Sequence, residues 1–375
     1  MKILITGSHF TPAQAVIEEL KKHLVEIVYI GRKYTREGDK SISLESEILP
    51  KLGVTFIPII TGRLQRSFTI YTIPSLFKIP MGILQAFYLI LREKPDVVLS
   101  FGGYVAVPVI ISAWFLSIPV IIHEQTLISG LANTISGYFA DKIAISFEKQ
   151  NIFKDRKTIF TGNPIRFDIL NPKENYEDSQ YKVIIQLSKK EKLPGVLITG
   201  GNQGSHVINR AVSSILDDLT GMSCVIHQTG DSKFQDFEKL SEQQKSLKYP
   251  ERYLVTKWIK GGDFGKVLKN TDLVIGRAGI NSLLEIAYFG IPALVIPIPY
   301  LYKNEQNVNA QFFENLGLAR VLPQKNLTSK NLLADIQNML KNLGVLKKKA
   351  QKAKSVVVLD AAKRLTQEVL ILTKT

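Results

Sequence analysis

Residues 195–212 of the chain are GVLITGGNQGSHVINRAV, which predicts a buried strand, a glycine-rich turn and the start of a helix. Short apolar, β-branched runs alternate with segments of helical length on both sides of this stretch, as is typical of parallel α/β units. Strands are predicted at 2–6, 26–31, 54–60, 96–101, 119–123, 142–146, 158–161, 195–199, 223–228, 252–256, 272–276, 292–297 and 319–322. We therefore expect an α/β fold of two Rossmann-like, doubly wound parallel-sheet domains that face a cleft.

Length and composition agree with two globular domains. The chain has 375 residues, of which 45% are hydrophobic and 22% charged, unlike a disordered protein. We expect an N-terminal domain at 1–165, a linker and variable connection at 166–192, a C-terminal domain at 193–345, and a final helix at 346–375 that returns to the N-terminal domain. The single cysteine, Cys224, excludes an intramolecular disulfide and a cysteine-based zinc cluster.

The net charge of +15 indicates an acidic partner. Nucleic acid, an anionic membrane surface and a phosphorylated substrate all fit this charge, so motifs must decide among them. The N-terminal residues MKILITGSHF do not resemble a signal peptide. The uncharged run 101–122 has the length of a membrane span, but its glycines and prolines favour a helix followed by a buried strand.

Polar and glycine-rich segments follow the predicted strands, where parallel sheets bind their ligands. The turn at 200–204 could receive a phosphate on its backbone amides, or its glycines could simply permit a tight turn. Glu285 could accept two hydrogen bonds from a ribose diol, or be a solvated helix residue. The amides of Gln306 and Asn309 suit sugar hydroxyls but are also common in turns.

Two histidines follow predicted strands. His9 precedes a helix that we expect to be capped by Thr11, and its imidazole could take a proton from an alcohol near neutral pH. The alternative for His9 is a structural role. His123, the last residue of the strand predicted at 119–123, is likewise either an active residue or a structural one. The spacing of His, Asp and Glu residues suggests no closed metal site.

Residues 62–94 mix basic and large apolar side chains. This segment could lie on an anionic bilayer, or form a core helix with charged ends. The candidate membrane patch comprises Arg63, Arg66, Phe68, Leu76, Phe77, Lys78, Ile79 and Met81.

Taken in order, the loops resemble those of the bacterial MurG family, from about residue 2 to residue 322. The matching segments are FGGYVAVP, IPVIIHEQ, ISGLANTISGYFADKIAISF, TGNPIR, GVLITGGNQGSHVIN, HQTG, RAG with Glu285, and NEQNVNA. The resemblance implies a GT-B fold. It also implies an inverting transfer of N-acetylglucosamine from UDP-N-acetylglucosamine to the C4 hydroxyl of the muramyl sugar of lipid I, giving lipid II for peptidoglycan synthesis.

The resemblance also implies roles for individual residues. Glu285 matches the ribose-binding carboxylate, Ile259 a backbone contact to uracil, and Gln306 a contact to a sugar hydroxyl. Arg166 matches an arginine near the diphosphate, and residues 280–285 would form the helix start over the phosphates. The full set of candidates for donor binding is Thr6, Gly7, Ser8, Thr126, Arg166, Gly201, Asn202, Gln203, Gly204, Ile259, Arg277, Gly279, Ile280, Asn281, Ser282, Leu283, Leu284, Glu285, Gln306 and Asn309.

In this interpretation His9 is the candidate general base, and Glu124 is a second, weaker catalytic candidate. No metal and no other cofactor are expected, because helix N-termini and Arg166 would stabilise the leaving UDP. The expected partners are UDP-N-acetylglucosamine, a lipid-linked acceptor, an anionic membrane surface and other enzymes of cell-wall synthesis, but not nucleic acid. The expected location is the cytoplasmic face of the membrane, as a peripheral protein.

The sequence also departs from the family pattern. Only Thr6, Gly7 and Ser8 precede His9, where the family has a longer glycine-rich loop. Thr126 stands in place of an asparagine, and Asn202 in place of a serine. The short loop therefore keeps open a related transferase with another lipid acceptor. A UDP-sugar epimerase with the same donor loops is a second alternative, from another class of enzyme.

Overall fold

A computed structural model of the chain describes residues 1–34, 42–62, 72–148, 157–172, 179–201 and 203–373. For residues 72–77 and residue 261 it describes the backbone only. The chain divides into two compact units, and each is described by itself. The first unit comprises Met1–Arg166 with Val358–Thr375, and the second comprises Phe167–Val357.

The first unit is built on a seven-stranded parallel sheet of strand order β3-β2-β1-β4-β5-β6-β7. Its strands are β1 (Lys2–Gly7), β2 (Glu26–Gly31), β3 (Thr55–Pro58), β4 (Val97–Phe101), β5 (Val120–Glu124), β6 (Lys142–Ile145) and β7 (Thr158–Phe160). Its helices are α1 (Phe10–Leu20), α2 (Leu44–Lys51), α3 (Thr72–Glu93), α4 (Ala106–Phe115), α5 (Leu131–Ser136) and, at the end of the chain, α16 (Ala361–Leu372).

This sheet is buried on both faces. Ile3 and Ile5 belong to one core, with α1 and the Leu365 and Val369 side chains of α16. Leu4 lies between them in sequence and belongs to the opposite core, with α3 and α4. Alternate residues of a strand point to opposite faces, so a strand covered on both sides must be apolar throughout.

The second unit has a six-stranded parallel sheet of order β10-β9-β8-β11-β12-β13. Its strands are β8 (Gly195–Thr199), β9 (Cys224–Gln228), β10 (Tyr253–Thr256), β11 (Leu273–Gly276), β12 (Ala293–Val295) and β13 (Ala319–Val321). Its helices are α6 (Phe167–Leu170), α7 (Lys182–Glu191), α8 (His206–Ser213), α9 (Leu216–Met222), α10 (Asp236–Gln244), α11 (Gly261–Lys269), α12 (Ile280–Phe289), α13 (Glu305–Asn315), α14 (Ser329–Lys341) and α15 (Leu343–Ala350). Short 3₁₀ helices cover Pro250–Arg252, Tyr302–Asn304, Gln324–Asn326 and Gln351–Val356.

All thirteen predicted strands are confirmed, and so is the α/β class. The uncharged run 101–122 contains α4 and most of β5, as the glycines and prolines indicated. Among the described residues, no helix combines the length and the hydropathy that crossing a bilayer requires. One detail is wrong: α1 begins at Phe10 with His9 at its N-cap position, so Thr11 lies inside the first turn.

Candidate functional site

The carboxyl ends of β1, β4 and β5 are neighbours in the first sheet, so the loops that follow them meet. Gly7 ends β1 with φ at +143°, and a Cβ there would lie 2.9 Å from the backbone of Phe101. The Ser8 backbone N–H donates to the Gly102 carbonyl at 2.9 Å. The hydroxyl of the fully buried Tyr29 donates to the Gly7 carbonyl at 3.0 Å. The short first loop is therefore held against the protein on two sides.

His9 is exposed, and it stands between this loop and α1. Desolvation lowers the pKa of its imidazole to about 4, and the Arg32 guanidinium lowers it further. Because solvent reaches the side chain, it moderates this shift, but the direction still favours the neutral form at pH 7. A neutral imidazole at this position can accept a proton, as a general base must.

Glu124 at the end of β5 is 2% exposed, and donors from Thr126, Asn133 and Ser129 surround its carboxylate. Its Oε1 accepts from the Thr126 backbone N–H at 3.0 Å and from the Thr126 hydroxyl at 2.8 Å. Its Oε2 accepts from the Asn133 amide at 3.0 Å. Burial raises the pKa of Glu124, and the hydrogen bond from the Thr126 N–H opposes that rise. Such a carboxylate positions Thr126 and Asn133, and it is less open to a substrate than His9 is.

His123 precedes Glu124 and is 1% exposed. Its Nε2 lies 3.1 Å from the Gly162 carbonyl, so that nitrogen carries the proton and donates. Desolvation lowers the pKa of this imidazole to about 4, and the His9 ring adds a small contribution. His123 is therefore a neutral ring whose hydrogen bond joins the end of β5 to the segment before Arg166. Arg166 itself is half-buried and is the last residue of the first unit's main segment.

In the second unit the glycine-rich turn follows β8 and leads into α8. Gly204 has φ at +68°, and a Cβ there would lie 1.8 Å from the Thr229 carbonyl oxygen, so only glycine fits. The Gly201 N–H donates to the Thr199 hydroxyl at 3.0 Å. Gln203 is exposed at the tip of the turn, and Asn202 lies outside the described residues.

Gln228 at the end of β9 is not among the predicted site residues, although it belongs to the HQTG segment that resembles the family. Its side chain is 4% exposed and contacts the glycine-rich turn. The Gln228 Nε2 donates to the Gly201 carbonyl at 3.1 Å, while its Oε1 accepts from the Ile259 N–H at 3.0 Å. The backbone N–H of Ile259 is thus engaged by the protein, so a base bound at this segment would use the Ile259 carbonyl or displace Gln228.

The loop after β11 leads into α12. Gly279 is the N-cap residue of this helix and offers no side-chain cap, so the amides of the first turn point toward any ligand at this end. Of the predicted run 280–285, Asn281 and Ser282 are half-buried in the first turn, whose amides have no acceptor within the helix. Leu283 and Leu284 lie in the core, and the Leu283 N–H already donates to the Gly279 carbonyl at 3.0 Å, so these two residues support the helix. Glu285 is 4% exposed, which makes it a buried carboxylate and not a solvated one.

The remaining predicted residues hold the neighbouring loops. Arg277 is half-buried and donates through Nη1 to the Ile296 carbonyl at 2.9 Å, and desolvation lowers its pKa. The Gln306 Oε1 accepts from the Ile298 N–H at 3.0 Å, which leaves its amide nitrogen as the group that could donate to a sugar. Asn309 is fully buried and donates to the Ala278 carbonyl at 3.3 Å, so it supports the loop from beneath.

The predicted membrane patch is described only in part. Arg63, Arg66 and Phe68 lie outside the described residues, and so do the side chains of Leu76 and Phe77. Lys78 and Ile79 are half-buried, and Met81 is 60% exposed. Further apolar side chains are exposed on α3, within the predicted segment 62–94, and on the adjacent α4, which lies outside it. They are Leu84, Tyr88, Leu91, Trp114 and Phe115.

The part of the chain that the structure describes contains no group of three or more His, Cys, Asp and Glu side chains that could hold a metal ion.

Comparisons with known proteins agree across the whole chain. Residues 6–145 match the glycosyltransferase family 28 N-terminal domain, and residues 195–365 match the C-terminal domain of the same family. A protein of Halalkalibacterium halodurans is 35% identical over 373 residues, which cover 97% of this chain and 98% of that protein. It is named UDP-N-acetylglucosamine--N-acetylmuramyl-(pentapeptide) pyrophosphoryl-undecaprenol N-acetylglucosamine transferase.

Two solved structures show the same architecture. The crystal structure of Acinetobacter baumannii MurG superposes with a TM-score of 0.71 at 25% identity, covering 99% of both chains. The UDP-GlcNAc 2-epimerase of Neisseria meningitidis superposes with a TM-score of 0.65 at 16% identity, covering 99% of this chain and 100% of that one. At that identity the epimerase shows a shared fold only.

Proposed function

The chain belongs to glycosyltransferase family 28 and, within it, to the MurG transferases of GT-B fold, and we propose that it transfers N-acetylglucosamine from UDP-N-acetylglucosamine to lipid I. The observation that carries this proposal is the 35% identity over 97% of the chain to a transferase of that name. The product would be lipid II, the precursor used in peptidoglycan synthesis. Whichever lipid it accepts, the enzyme is a glycosyltransferase.

The proposed reaction is a single displacement that inverts the anomeric carbon. The C4 hydroxyl of the muramyl sugar attacks that carbon and gives up its proton, while the bond to the UDP oxygen breaks and UDP leaves with the electron pair. We propose that His9 takes the proton, since its lowered pKa favours the neutral imidazole that can accept one. Glu124 then acts indirectly, by holding Thr126 and Asn133 in the segment that follows β5.

Donor binding falls to the second unit in this proposal. The amides of the turn at 200–204 and of the α12 N-terminus would meet the diphosphate, because a helix N-terminus favours negative charge. Glu285 would hold the ribose, the backbone of Ile259 the uracil, and the amide nitrogen of Gln306 the sugar. These groups would stabilise the departing UDP without a metal ion. The family resemblance gives Arg166, the last residue of the first unit's main segment, a role toward the same diphosphate.

We propose that the first unit meets the membrane through its exposed apolar side chains. Leu84 on α3 is 72% exposed, and Phe115 on α4 is 74% exposed, and the two helices pack against each other through the Ser112 hydroxyl and the Ile83 carbonyl. An apolar surface of this kind on a chain of charge +15 suits an anionic bilayer. The enzyme would then act as a peripheral protein on the cytoplasmic face, where UDP-sugars are supplied.

The proposal is tested by transfer of radiolabelled N-acetylglucosamine from UDP to purified lipid I, together with UDP titration calorimetry. Wild type should form lipid II, and Glu285→Gln should weaken UDP binding about tenfold or more, because it removes the charged acceptor of the ribose diol. Glu242→Gln, a change at an exposed residue of α10, is the control. UDP binding without transfer to lipid I would redirect the proposal to another lipid acceptor, and an unchanged affinity in Glu285→Gln would remove its ribose role.

A further inference from the structure

One side chain, that of Gln228, joins two segments of the second unit that approach from different strands. Its Nε2 donates to the Gly201 carbonyl at 3.1 Å and to the Thr199 hydroxyl at 3.3 Å. Its Oε1 accepts from the Ile259 N–H at 3.0 Å. The glycine-rich turn after β8 and the segment after β10 are therefore tied to a single carboxamide at the end of β9, which lies between β8 and β10 in the sheet.

Only a carboxamide can make all of these contacts. The Ile259 N–H requires an acceptor, and the Gly201 carbonyl requires a donor, which together fix the orientation of the amide. A carboxylate of the same size would still accept from Ile259, but it would repel the Gly201 carbonyl. A methionine of similar shape would make neither bond.

The strand that carries Gln228 is itself firmly held. The neighbouring His227 is fully buried between the Tyr253 hydroxyl, 2.9 Å from its Nδ1, and the Asn209 Oδ1, 3.0 Å from its Nε2. The backbone N–H of Thr229 donates to the Thr256 carbonyl at 3.0 Å. Gln228 thus extends from a rigid position, which is what a residue needs if it is to set the distance between two loops.

We propose that Gln228 is a positioning residue that fixes the spacing between the phosphate side and the base side of the nucleoside diphosphate site. This inference rests on the proposed function, in which the turn at 200–204 meets the diphosphate and the Ile259 segment meets the base. The ligand must contact both segments at once, so binding is weaker if the two segments are not already held at the right separation. Gln228 supplies that position without touching the ligand.

The two isosteric variants separate this role from a general loss of structure. Gln228→Glu keeps the acceptor for Ile259 and loses the donor to Gly201, so it should disturb only the phosphate side. Gln228→Met loses both and should disturb both sides. UDP reports on the whole site, whereas uridine reports on the base side alone.

The experiment measures UDP affinity by titration calorimetry, uridine affinity by ligand-observed NMR, and thermal unfolding of each variant. We expect both variants to bind UDP about tenfold or more weakly. We expect Gln228→Glu to retain uridine binding within about threefold, and Gln228→Met to lose it. In transfer assays, the KM for the UDP-sugar should rise more than kcat falls.

Gln244→Glu is the matched control. Gln244 also bridges backbone groups of the same unit, donating to the Pro250 carbonyl at 3.1 Å and to the Tyr253 carbonyl, but it lies at the opposite end of β10 from Ile259. It should leave both affinities unchanged. UDP affinity equal to wild type in both Gln228 variants would overturn the inference, as would uridine and UDP losses that are equal in Gln228→Glu. A wild-type protein that binds no UDP would instead overturn the proposed function.

Discussion

Replacing Asn209 with alanine should destabilise the second unit more than any surface change. Asn209 on α8 is 2% exposed, and its amide makes three hydrogen bonds. Its Nδ2 donates to the Thr229 carbonyl at 3.1 Å and to the Asp236 carboxylate at 2.9 Å. Its Oδ1 accepts at 3.0 Å from the His227 Nε2, which must carry the ring's proton because an amide oxygen only accepts. Burial lowers the pKa of that imidazole to about 3, so the ring is neutral.

The magnitude follows from these three bonds. A neutral hydrogen bond contributes about 0.5–1.5 kcal/mol and one to a charged group about 1.5–3 kcal/mol, so Asn209→Ala should cost about 3–5 kcal/mol. For a unit of this size, that loss lowers the melting temperature by about 6–20 °C. UDP affinity should fall as well, because α8 begins directly after the glycine-rich turn.

Differential scanning calorimetry and urea unfolding would measure the loss. Asn342→Ala is the matched control, since the Asn342 amide donates at 2.9 Å to the Asn338 carbonyl on an exposed helix end. That control should stay within about 0.5 kcal/mol of wild type. A loss below about 1 kcal/mol in Asn209→Ala would refute the reasoning, because it would mean that the buried amide is replaced by water at little cost.

Three further predictions concern the first unit. His9→Ala should lower kcat by about 10²- to 10⁴-fold with UDP affinity unchanged. Because desolvation lowers the pKa of the imidazole, the wild-type rate should fall at a pH below the ordinary histidine value of about 6.5, and an acidic limb at or above that value would contradict the assignment. Tyr29→Phe should lower the free energy of unfolding in urea by about 1 kcal/mol, because it removes the hydrogen bond to the Gly7 carbonyl. It should also lower kcat more than it lowers UDP affinity, since the lost bond lies at the first loop. Equal losses in kcat and in UDP affinity would contradict a role of Tyr29 in holding that loop. Leu84→Ser with Phe115→Ser should reduce sedimentation with anionic vesicles, whereas Val183→Ser, a change at an exposed residue of α7, should not; equal binding by all three proteins would exclude the α3–α4 surface as the membrane contact.

The strands could be predicted because parallel sheets covered on both faces require uninterrupted apolar runs. Ile3 and Ile5 pack in one core and Leu4 packs in the opposite one, so all three positions must be apolar. Such an unbroken apolar run can be seen in the sequence. The strand ends were less certain. The prediction 292–297 extended past β12 (Ala293–Val295) on both sides. Pro292 lacks the N–H that a sheet needs, and on the other side the Ile296 N–H still donates to the Gly276 carbonyl at 2.8 Å before Pro297 ends the pairing.

The site could be predicted only as a set of loops. The sequence shows which residues follow each strand, but Gln228 meets Gly201 and Ile259 through contacts that span about thirty positions in either direction. A similar sequence separation lies between Asn309 and Ala278, so the hydrogen bond between them could not be read from the sequence either. The available signal for Gln228 was the HQTG motif, because Gln228 ends β9 at the edge of the sheet where ligands bind.

The short first loop has a consequence for the acceptor. Its backbone groups are directed into the protein, since the Ser8 N–H meets the Gly102 carbonyl and the Gly7 carbonyl receives the Tyr29 hydroxyl. Ser8 therefore cannot offer its amide to a phosphate, as a longer glycine-rich loop could. An acceptor diphosphate would have to be met by the first turn of α1, which carries no acidic residue, and by nearby cations such as Arg32. Because a side-chain cation is a weaker constraint on geometry than a ring of amides, we expect a broader choice of lipid acceptors than a long loop would allow. Equal discrimination between lipid I and other lipid diphosphates by wild type and by a variant whose first loop is lengthened with glycines after Gly7 would show that the loop does not set acceptor choice.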